Sequence, residues 1–257
     1  MPVFETNHSK LYYADTGEGQ PLLLLHGLSS SHAMFYREIE FFKKKYRVIA
    51  PDARGHGNSQ KHEEYTLQDH IDDTVALLDH LGLESVYVIG VSMGSYIAQG
   101  LAIQEADRIK KLILVATKPS GMKASMEELF DRYADELEGL GTIDKLSRAS
   151  KYMFHNHDSV NQWLKITGEN SDQLTAREQK VASDALKGFD FRMKLDKVKA
   201  ETLVISGTHD GLNPPEKGRE TAVLIPDATF MEFKNSGHAP NVEQERLFLG
   251  IADNFLD

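Results

Sequence analysis

The sequence predicts an α/β fold in which a mostly parallel, eight-stranded sheet is flanked by helices. Continuous apolar runs such as "PLLLL" and "VYVI" alternate along the chain with amphipathic segments. This alternation is typical of parallel strands that are covered by helices on both faces. The chain has 257 residues, of which 40% are hydrophobic, so it can build one large α/β core. One long stretch of helical segments interrupts the alternation and indicates an insertion into the sheet.

Strands are predicted at eight apolar or alternating runs. In chain order these are Val3–Glu5, Leu11–Ala14, "PLLLLHG", "YRVIAPD", "VYVI", "KKLILVAT", "ETLVISGTHD" and "ATFMEFKNSGH". Between the fourth and fifth runs, "YTLQDHIDDTVALLDHLG" has the apolar spacing of a helix, and Thr66 with Asp69 resembles a capping box at its start. Further helices are predicted over 32–45, after Ser95, after Pro215 and from about Val242.

The segment from Pro119 to about Val198 shows helical patterns and no convincing strand. It contains "SMEELFDRYADEL", whose apolar residues share one helix face, and a capping-box sequence that starts at Thr175. An excursion this long between two strands is usually a separate unit with a function. We therefore predict a core domain of residues 1–118 and 199–257, and a helical cap of residues 119–198 that lies over the strand ends as a lid. The alternative to a lid is that this segment only decorates the edge of the sheet.

The composition limits the classes of function. The formal net charge of -10 gives no general attraction to nucleic acid or anionic lipid, so neither partner is expected. The absence of cysteine excludes disulfides and thiolate catalysis. Because no apolar run reaches the ~20 residues of a membrane span and the first residues lack a signal-peptide pattern, a cytoplasmic location is expected. His155 and His157 are too few for a convincing metal site, and no cofactor is expected. The oligomeric state stays open.

Reactive residues fall at the predicted carboxyl ends of three strands, where α/β sheets bind their ligands. Ser92 lies in "GVSMG", which joins a strand to a helix with no spacer. Small residues around such a serine permit the strained, close-packed turn that is called a nucleophile elbow. Asp210 and His238 stand at the ends of the last two predicted strand segments. The chain order Ser, Asp, His predicts a nucleophile, an acid and a base that act together.

Five motifs follow one another along the chain: "HGL", "DARGHGNS", "GVSMG", "GTHDGLNP" and "SGHAPNVE". On these motifs the chain resembles the lidded members of the α/β-hydrolase fold family over nearly all of its length except residues 119–198. The resemblance implies an α/β-hydrolase fold with the helical cap inserted between strands six and seven. It assigns Ser92 as the nucleophile, His238 as its base and Asp210 as the acid. The backbone N–H groups of Leu28 and Met93 are then expected to form the oxyanion hole.

The resemblance also narrows the expected reaction. A serine at the elbow argues against relatives of haloalkane dehalogenases and epoxide hydrolases, which use an aspartate nucleophile. Val91 stands where carbon–carbon bond hydrolases commonly have asparagine, and the fragment "RGHG" resembles esterases, enol-lactonases and cofactor-free haloperoxidases or perhydrolases. The expected function is hydrolysis of a carboxylic ester of a small to medium acyl substrate through an acyl-enzyme. The alternatives are lactonase, perhydrolase or carbon–carbon bond hydrolase activity, or a ligand receptor that keeps the triad without turnover.

Other residues near the predicted site have supporting roles in this interpretation. Similar proteins use histidines placed as His26 and His56 to brace loops, and His209 is predicted to be a loop residue rather than the base. Ser95 stands where many relatives have a second glycine. Four apolar side chains of the predicted cap are expected to bind the substrate: Met122, Met126, Met153 and Trp163.

Overall fold

The computed structural model describes residues 2–6, 9–168 and 174–257, and it contains the predicted eight-stranded sheet. The strands of this sheet in chain order are β1 (Val3–Glu5), β2 (Lys10–Thr16), β3 (Gln20–Leu25), β4 (Tyr46–Pro51), β5 (Val86–Val91), β6 (Ile109–Val115), β9 (Glu201–Gly207) and β10 (Ala228–Phe233). Two further strands, β7 (Ser120–Gly121) and β8 (Phe189–Asp190), pair with each other outside this sheet.

The spatial order of the large sheet is β1-β2-β4-β3-β5-β6-β9-β10. The pairs β1/β2 and β2/β4 are antiparallel, and every other pair is parallel. Because the carboxyl ends of parallel strands meet at one edge, the loops after β3, β5, β9 and β10 lie together at that edge. This topology brings residues that are far apart in sequence to a single site.

Helices cover both faces of the sheet. The helices are α1 (Tyr36–Phe42), α2 (Leu67–His80), α3 (Met93–Gln104), α4 (Ser125–Arg132), α5 (Ala134–Leu137), α6 (Thr142–Met153), α7 (His157–Gly168), α8 (Ala176–Asp184), α9 (Pro215–Leu224), α10 (Pro240–Glu243) and α11 (Glu245–Leu256). Alternate residues of β3 enter different cores: Leu23 and Leu25 pack with α2 and α3, whereas Leu22 and Leu24 pack with α1 and α11. The continuous apolar strands are thus explained by burial on both faces.

The start of α2 has the predicted capping box. Thr66 accepts a hydrogen bond from the Asp69 backbone N–H, and the Asp69 carboxylate accepts one from the Thr66 backbone N–H. The same reciprocal pair, Thr175 and Glu178, begins α8. Both boxes satisfy backbone N–H groups that have no partner within the helix.

The segment between β6 and β9 holds α4 to α8, and two details of it differ from the sequence prediction. The prediction of no strand is wrong, because Ser120–Gly121 pairs with Phe189–Asp190 where the segment leaves and returns to the sheet. The apolar face of "SMEELFDRYADEL" belongs to two helices, since Tyr133 leaves helical geometry with φ -110° and ψ 28°. The Tyr133 ring stacks on Tyr152 of α6 with ring centroids 3.7 Å apart. The break at Tyr133 is thus accompanied by a contact with another helix, and the helical periodicity of the sequence does not indicate such a break.

The end of the chain also departs from one predicted helix. The predicted helix from about Val242 is divided into α10 and α11 at Gln244, whose φ of -130° and ψ of 51° are not helical. Among the residues described, none of the helices has the length and apolar character needed to cross a membrane.

Candidate active site

Ser92 occupies a strained turn between β5 and α3. Its φ of 53° and ψ of -116° place a non-glycine residue at positive φ, which is uncommon and costs free energy. The two glycines of the motif permit close packing around it. A Cβ on Gly94 would lie 1.9 Å from the Leu25 carbonyl oxygen, and one on Gly90 would lie 2.4 Å from the Gly94 carbonyl oxygen. Any larger residue would therefore push the strand and the helix apart.

The structure joins Ser92, His238 and Asp210 in one hydrogen-bonded chain. The His238 Nε2 atom lies 2.9 Å from Ser92 Oγ, and His238 Nδ1 lies 2.8 Å from Asp210 Oδ2. Because a carboxylate only accepts, the Nδ1–H group donates to Asp210 and Nε2 is left to accept the proton of the serine hydroxyl. Asp210 is 3% exposed and His238 is 9% exposed, so both side chains are shielded from water.

The orientation of Asp210 is fixed by its own loop. Its second oxygen, Oδ1, accepts hydrogen bonds from the backbone N–H groups of Leu212 and Asn213, both at 2.9 Å. These bonds leave Oδ2 for the histidine. The carboxylate is thereby held in the orientation that selects one imidazole tautomer.

The two residues predicted to form an oxyanion hole are Leu28, in the loop after β3, and Met93, the first residue of α3. Within the described part of the chain, the N–H groups of Leu28 and Met93 donate to no protein acceptor. Gly27 brings the β3 loop close to the serine, because a Cβ on Gly27 would lie 3.7 Å from Ser92 Cβ. Uncommitted backbone N–H groups are the kind of donor that can stabilise a developing oxyanion.

The sequence prediction missed the role of Glu243, although this residue ends the quoted motif "SGHAPNVE". Its Oε1 accepts from the N–H groups of Gly237 at 3.0 Å and Ala239 at 3.2 Å, the two neighbours of His238. Its Oε2 accepts from the N–H groups of His155 and Asn156, both at 2.8 Å. One buried carboxylate therefore fixes the His238 loop and joins it to the segment between α6 and α7.

The carboxyl end of α6 also bonds directly to the two loops that carry Asp210 and His238. The His238 N–H donates to the Met153 carbonyl at 2.6 Å, and the Gly211 N–H donates to the Tyr152 carbonyl at 2.7 Å. Glycine is required at position 237, because a Cβ there would lie 2.2 Å from the Met153 carbonyl oxygen. The segment between β6 and β9 is thus in contact with the backbone of the site.

Ser92 and His238 open into a cavity of about 620 Å³. The segment between β6 and β9 supplies much of its apolar wall, including Met126, Met153 and Trp163 among the predicted substrate-binding residues. The expectation that Met122 lines the site is wrong. Met122 is 70% exposed and lies outside the cavity wall, because the turn between β7 and α4 directs it to solvent.

Buried histidines brace the loops below the site. His26 joins the β3 and β4 loops, since its Nε2 accepts from the Ala53 N–H at 2.9 Å and its Nδ1 donates to the Gly27 carbonyl at 2.8 Å. Burial lowers the pKa of His26, lowers the pKa of His56 to about 3, and lowers the pKa of His70 well below its usual value. These three rings are therefore neutral in the folded protein near neutral pH.

The neutral state of His70 makes stability depend on pH. An unfolded histidine binds a proton below its ordinary pKa of about 6.5, whereas buried His70 does not, so the free energy of unfolding falls as the pH drops from 6.5. We expect His70→Phe to make this fall shallower below pH 6, by at most ~1.4 kcal/mol per pH unit, which is the slope for one proton. Urea unfolding at several pH values measures this dependence of the free energy of unfolding on pH. His80→Phe, the same change at an exposed position of α2, is the control. An unaltered slope in His70→Phe would contradict the argument.

The other histidines near the site are arranged as surface or loop groups. The His155 ring stacks on the exposed His209 with ring centroids 4.1 Å apart, and the hydrogen-bonded chain of Ser92, His238 and Asp210 includes neither ring. Among the described residues, no group of three or more His, Cys, Asp or Glu side chains is placed to hold a metal ion.

Comparison with known proteins agrees with this fold. Residues 20–245 match the alpha/beta hydrolase fold family. The chain is 31% identical over 263 residues to the AB hydrolase superfamily protein YisY of Bacillus subtilis, with 96% of each chain covered. It is 28% identical over 246 residues to 3-oxoadipate enol-lactonase 1 of Acinetobacter baylyi, which covers 93% of this chain and 90% of that one. A malate-bound thermophilic esterase from Thermogutta terrifontis superimposes with a TM-score of 0.78 at 29% identity, covering 96% of this chain and 93% of that one. The chain therefore belongs to the α/β-hydrolase fold family.

Proposed function

We propose that this protein is a serine hydrolase that cleaves carboxylic esters of uncharged, small to medium acyl substrates through an acyl-enzyme. The observation that carries the proposal is the hydrogen-bonded chain from Ser92 Oγ through His238 to Asp210, with contacts of 2.9 and 2.8 Å. This is the arrangement of a nucleophile, a general base and an orienting acid. Ser92 and His238 line a cavity that is large enough for such a substrate.

Each residue then has a defined role in the reaction. As Ser92 Oγ attacks the acyl carbonyl, His238 Nε2 takes the hydroxyl proton, and Asp210 stabilises the imidazolium that forms. The N–H groups of Leu28 and Met93 donate to the carbonyl oxygen as it becomes negative. One such donor contributes roughly 3–4 kcal/mol of transition-state stabilisation. His238 returns the proton to the departing alcohol, and then activates a water molecule that releases the acid from Ser92.

The cavity wall supports an uncharged substrate. Of the residues that the structure describes along this wall, none is Lys, Arg, Asp or Glu, and the sequence of 169–173 contains neither lysine nor arginine. A substrate carboxylate buried there would lose its hydration without gaining a cationic partner, which is costly. Uncharged lactones are the second candidate, because the chain resembles an enol-lactonase over most of its length and a lactone is a cyclic ester open to the same attack.

We further propose that residues 119–198 act as the lid of this cavity. Two hydrogen bonds tie the segment to the loop after β3: Trp163 Nε1–H donates to the Met34 carbonyl at 3.1 Å, and the Ser29 hydroxyl donates to Gln179 Oε1 at 2.5 Å. They join α7 and α8 to the opposite wall of the cavity. A covered site excludes water and lets apolar side chains choose among acyl lengths.

The lid proposal predicts a change in acyl-chain preference. Trp163→Ala and Met126→Ala enlarge the cavity, so we expect each to raise the kcat/KM ratio of p-nitrophenyl octanoate to p-nitrophenyl butyrate roughly tenfold, given ~1–3 kcal/mol for a methylene in a pocket. Met122→Ala is the matched control, since Met122 belongs to the same segment but lies outside the cavity wall. If all three variants gave the wild-type ratio, the segment would be scaffold and not a determinant of specificity.

A turnover assay tests the proposed function as a whole. We expect many turnovers per protein molecule on p-nitrophenyl acetate and butyrate, because His238 can activate water as well as serine. A single burst of p-nitrophenol equal to the protein concentration would instead indicate a receptor that retains the triad. No release beyond that of the Ser92→Ala variant would contradict the proposed hydrolase.

A further inference from the structure

The direction of the Leu28 N–H, one of the two proposed oxyanion donors, is set by bonds to its own peptide unit. This N–H shares a planar peptide unit with the Gly27 carbonyl, and in a trans peptide the two groups point in opposite directions. The Gly27 carbonyl accepts hydrogen bonds from His26 Nδ1–H at 2.8 Å and from the Ser30 N–H at 3.3 Å. These two bonds therefore direct the Leu28 N–H to the opposite side of the loop.

The preceding peptide unit is anchored by a sulfur atom. The Gly27 N–H donates to Met34 Sδ, with a nitrogen-to-sulfur distance of 3.3 Å. A thioether is a weak acceptor, but within the part of the chain that the structure describes this N–H has no other. Glycine rotates about its backbone bonds more freely than any other residue. Without the sulfur, Gly27 would therefore let the loop and the Leu28 N–H turn.

Met34 is itself held between the core and α7. It lies in a short 3₁₀ helix, His32–Phe35, which Ser31 caps because its Oγ accepts from the Ala33 N–H. Met34 is 5% exposed and lines the cavity. Its carbonyl accepts the Nε1–H of Trp163, on α7, at 3.1 Å. One residue thus contacts the Gly27 loop through its sulfur and α7 through its carbonyl oxygen.

We propose that Met34 is a positioning residue: its sulfur holds the Leu28 N–H in the direction of the developing oxyanion, and α7 supports this arrangement through the Met34 carbonyl. The inference rests on the proposed hydrolase function, because the oxyanion forms only during acyl transfer. Met34 acts through Gly27 and contacts no reacting atom. Loss of its sulfur should therefore weaken the binding of an oxyanion without weakening the binding of a neutral ketone or ester.

Two ketones of matched shape separate this role from ordinary packing. With butyl trifluoromethyl ketone, Ser92 Oγ bonds to the carbonyl carbon, the carbonyl π electrons move to the oxygen, and His238 Nε2 takes the hydroxyl proton. The product carries an oxyanion. Butyl methyl ketone is much less electrophilic and binds as the neutral ketone. Both are measured as competitive inhibitors of p-nitrophenyl butyrate turnover.

Met34→Leu keeps a similar apolar volume and removes the sulfur. We expect about a tenfold rise in Ki for the trifluoromethyl ketone and about a tenfold fall in kcat, with less than about a twofold change in KM and in Ki for the methyl ketone. Met34→Ile replaces this variant should it fold poorly. Met231→Leu is the control, because it makes the same change on β10 outside the cavity wall. Equal changes in the two Ki values, or no change in either, would overturn the proposal.

The contact with α7 has its own variant. Trp163→Phe removes the indole N–H and keeps an aromatic side chain, so we expect the ratio of the trifluoromethyl ketone Ki to the methyl ketone Ki to rise about threefold, as for the loss of one hydrogen bond. Combined with Met34→Leu, it should raise the ratio no further, because both changes act on one contact chain. A wild-type ratio in Trp163→Phe would refute the role of α7.

The Gly27 amide gives a test that needs no turnover. In protein made with isotope-labelled glycine, the Gly27 amide signal is identified by its loss in Gly27→Ala. We expect its proton resonance to move upfield in Met34→Leu, because the N–H loses its acceptor, and to keep its position in Met231→Leu. A Gly27 resonance that does not move in Met34→Leu would refute the anchoring by sulfur. Failure of the proposed hydrolase would appear separately, since the wild type would then release no p-nitrophenol.

Discussion

Replacing Ser92 with alanine is expected to lower kcat/KM for p-nitrophenyl butyrate by about 10⁴–10⁶-fold. The variant keeps the cavity and the oxyanion donors but has no atom that can form the acyl-enzyme. His238→Ala should lower kcat/KM by a similar factor. The substitution removes the base that lies 2.9 Å from Ser92 Oγ, and a serine hydroxyl without a base is a weak nucleophile. Asp210→Asn should lower kcat/KM by about 10⁴-fold or less, because the substitution disturbs the tautomer and orientation of the imidazole but does not remove the nucleophile.

Double variants sharpen this expectation. If Ser92 and His238 act as one unit, the Ser92→Ala, His238→Ala protein should be no slower than either single variant. Ser183→Ala is the matched control, since it removes another hydroxyl from the wall of the same cavity. An Asp210→Asn protein with wild-type kcat would show that Asp210 is not the acid of the triad. A loss in Ser183→Ala as large as that in Ser92→Ala would contradict the assignment of the nucleophile.

Glu243→Gln is expected to have the second-largest effect, on both stability and rate. The substitution replaces one carboxylate oxygen by an NH₂ group, so two backbone N–H donors lose their acceptor and face another donor instead. At roughly 1.5–3 kcal/mol for each hydrogen bond to a charged group, we expect a loss of about 3 kcal/mol or more. A chain of this size then unfolds at a Tm lower by about 10 °C.

The effect on rate separates positioning from stability. Both neighbours of His238 donate to Glu243, so a displacement of the imidazole by about 1 Å would lower kcat by up to 10²-fold. We expect kcat measured well below the Tm to fall while KM changes little. Glu245→Gln is the control, because Glu245 forms a partly exposed ion pair that contributes only ~0–1 kcal/mol. A Glu243→Gln protein with reduced Tm but unchanged kcat would show that Glu243 stabilises the fold without positioning His238.

Local sequence patterns predicted the parts of the site that depend on one turn or one helix start. The glycines around Ser92 indicate the elbow because only a residue without a Cβ fits beside the Leu25 carbonyl, and the Thr66 capping box depends on residues three positions apart. The parallel topology then predicts that Asp210 and His238 reach the same edge of the sheet as Ser92, since their strands end there.

The remaining features depend on contacts between distant parts of the chain. Asn241 meets Glu38 only because α10 packs near α1, and no spacing rule relates residues 203 positions apart. Whether an apolar residue of the insertion faces the cavity or the solvent also depends on how the segment lies over the sheet. In the structure Trp163 lies in the cavity wall whereas Met122 is exposed to solvent, a difference that the sequence pattern did not predict.

The central claim is that Ser92 is the nucleophile activated by His238, and covalent labelling tests it most directly. The wild-type protein is incubated with a small fluorophosphonate, digested, and analysed by mass spectrometry. We predict one equivalent of label on the peptide that contains Ser92, none in Ser92→Ala, and a rate of labelling at least about 10³-fold lower in His238→Ala. Label on another serine, or equally fast labelling of Ser92 in His238→Ala, would contradict the account.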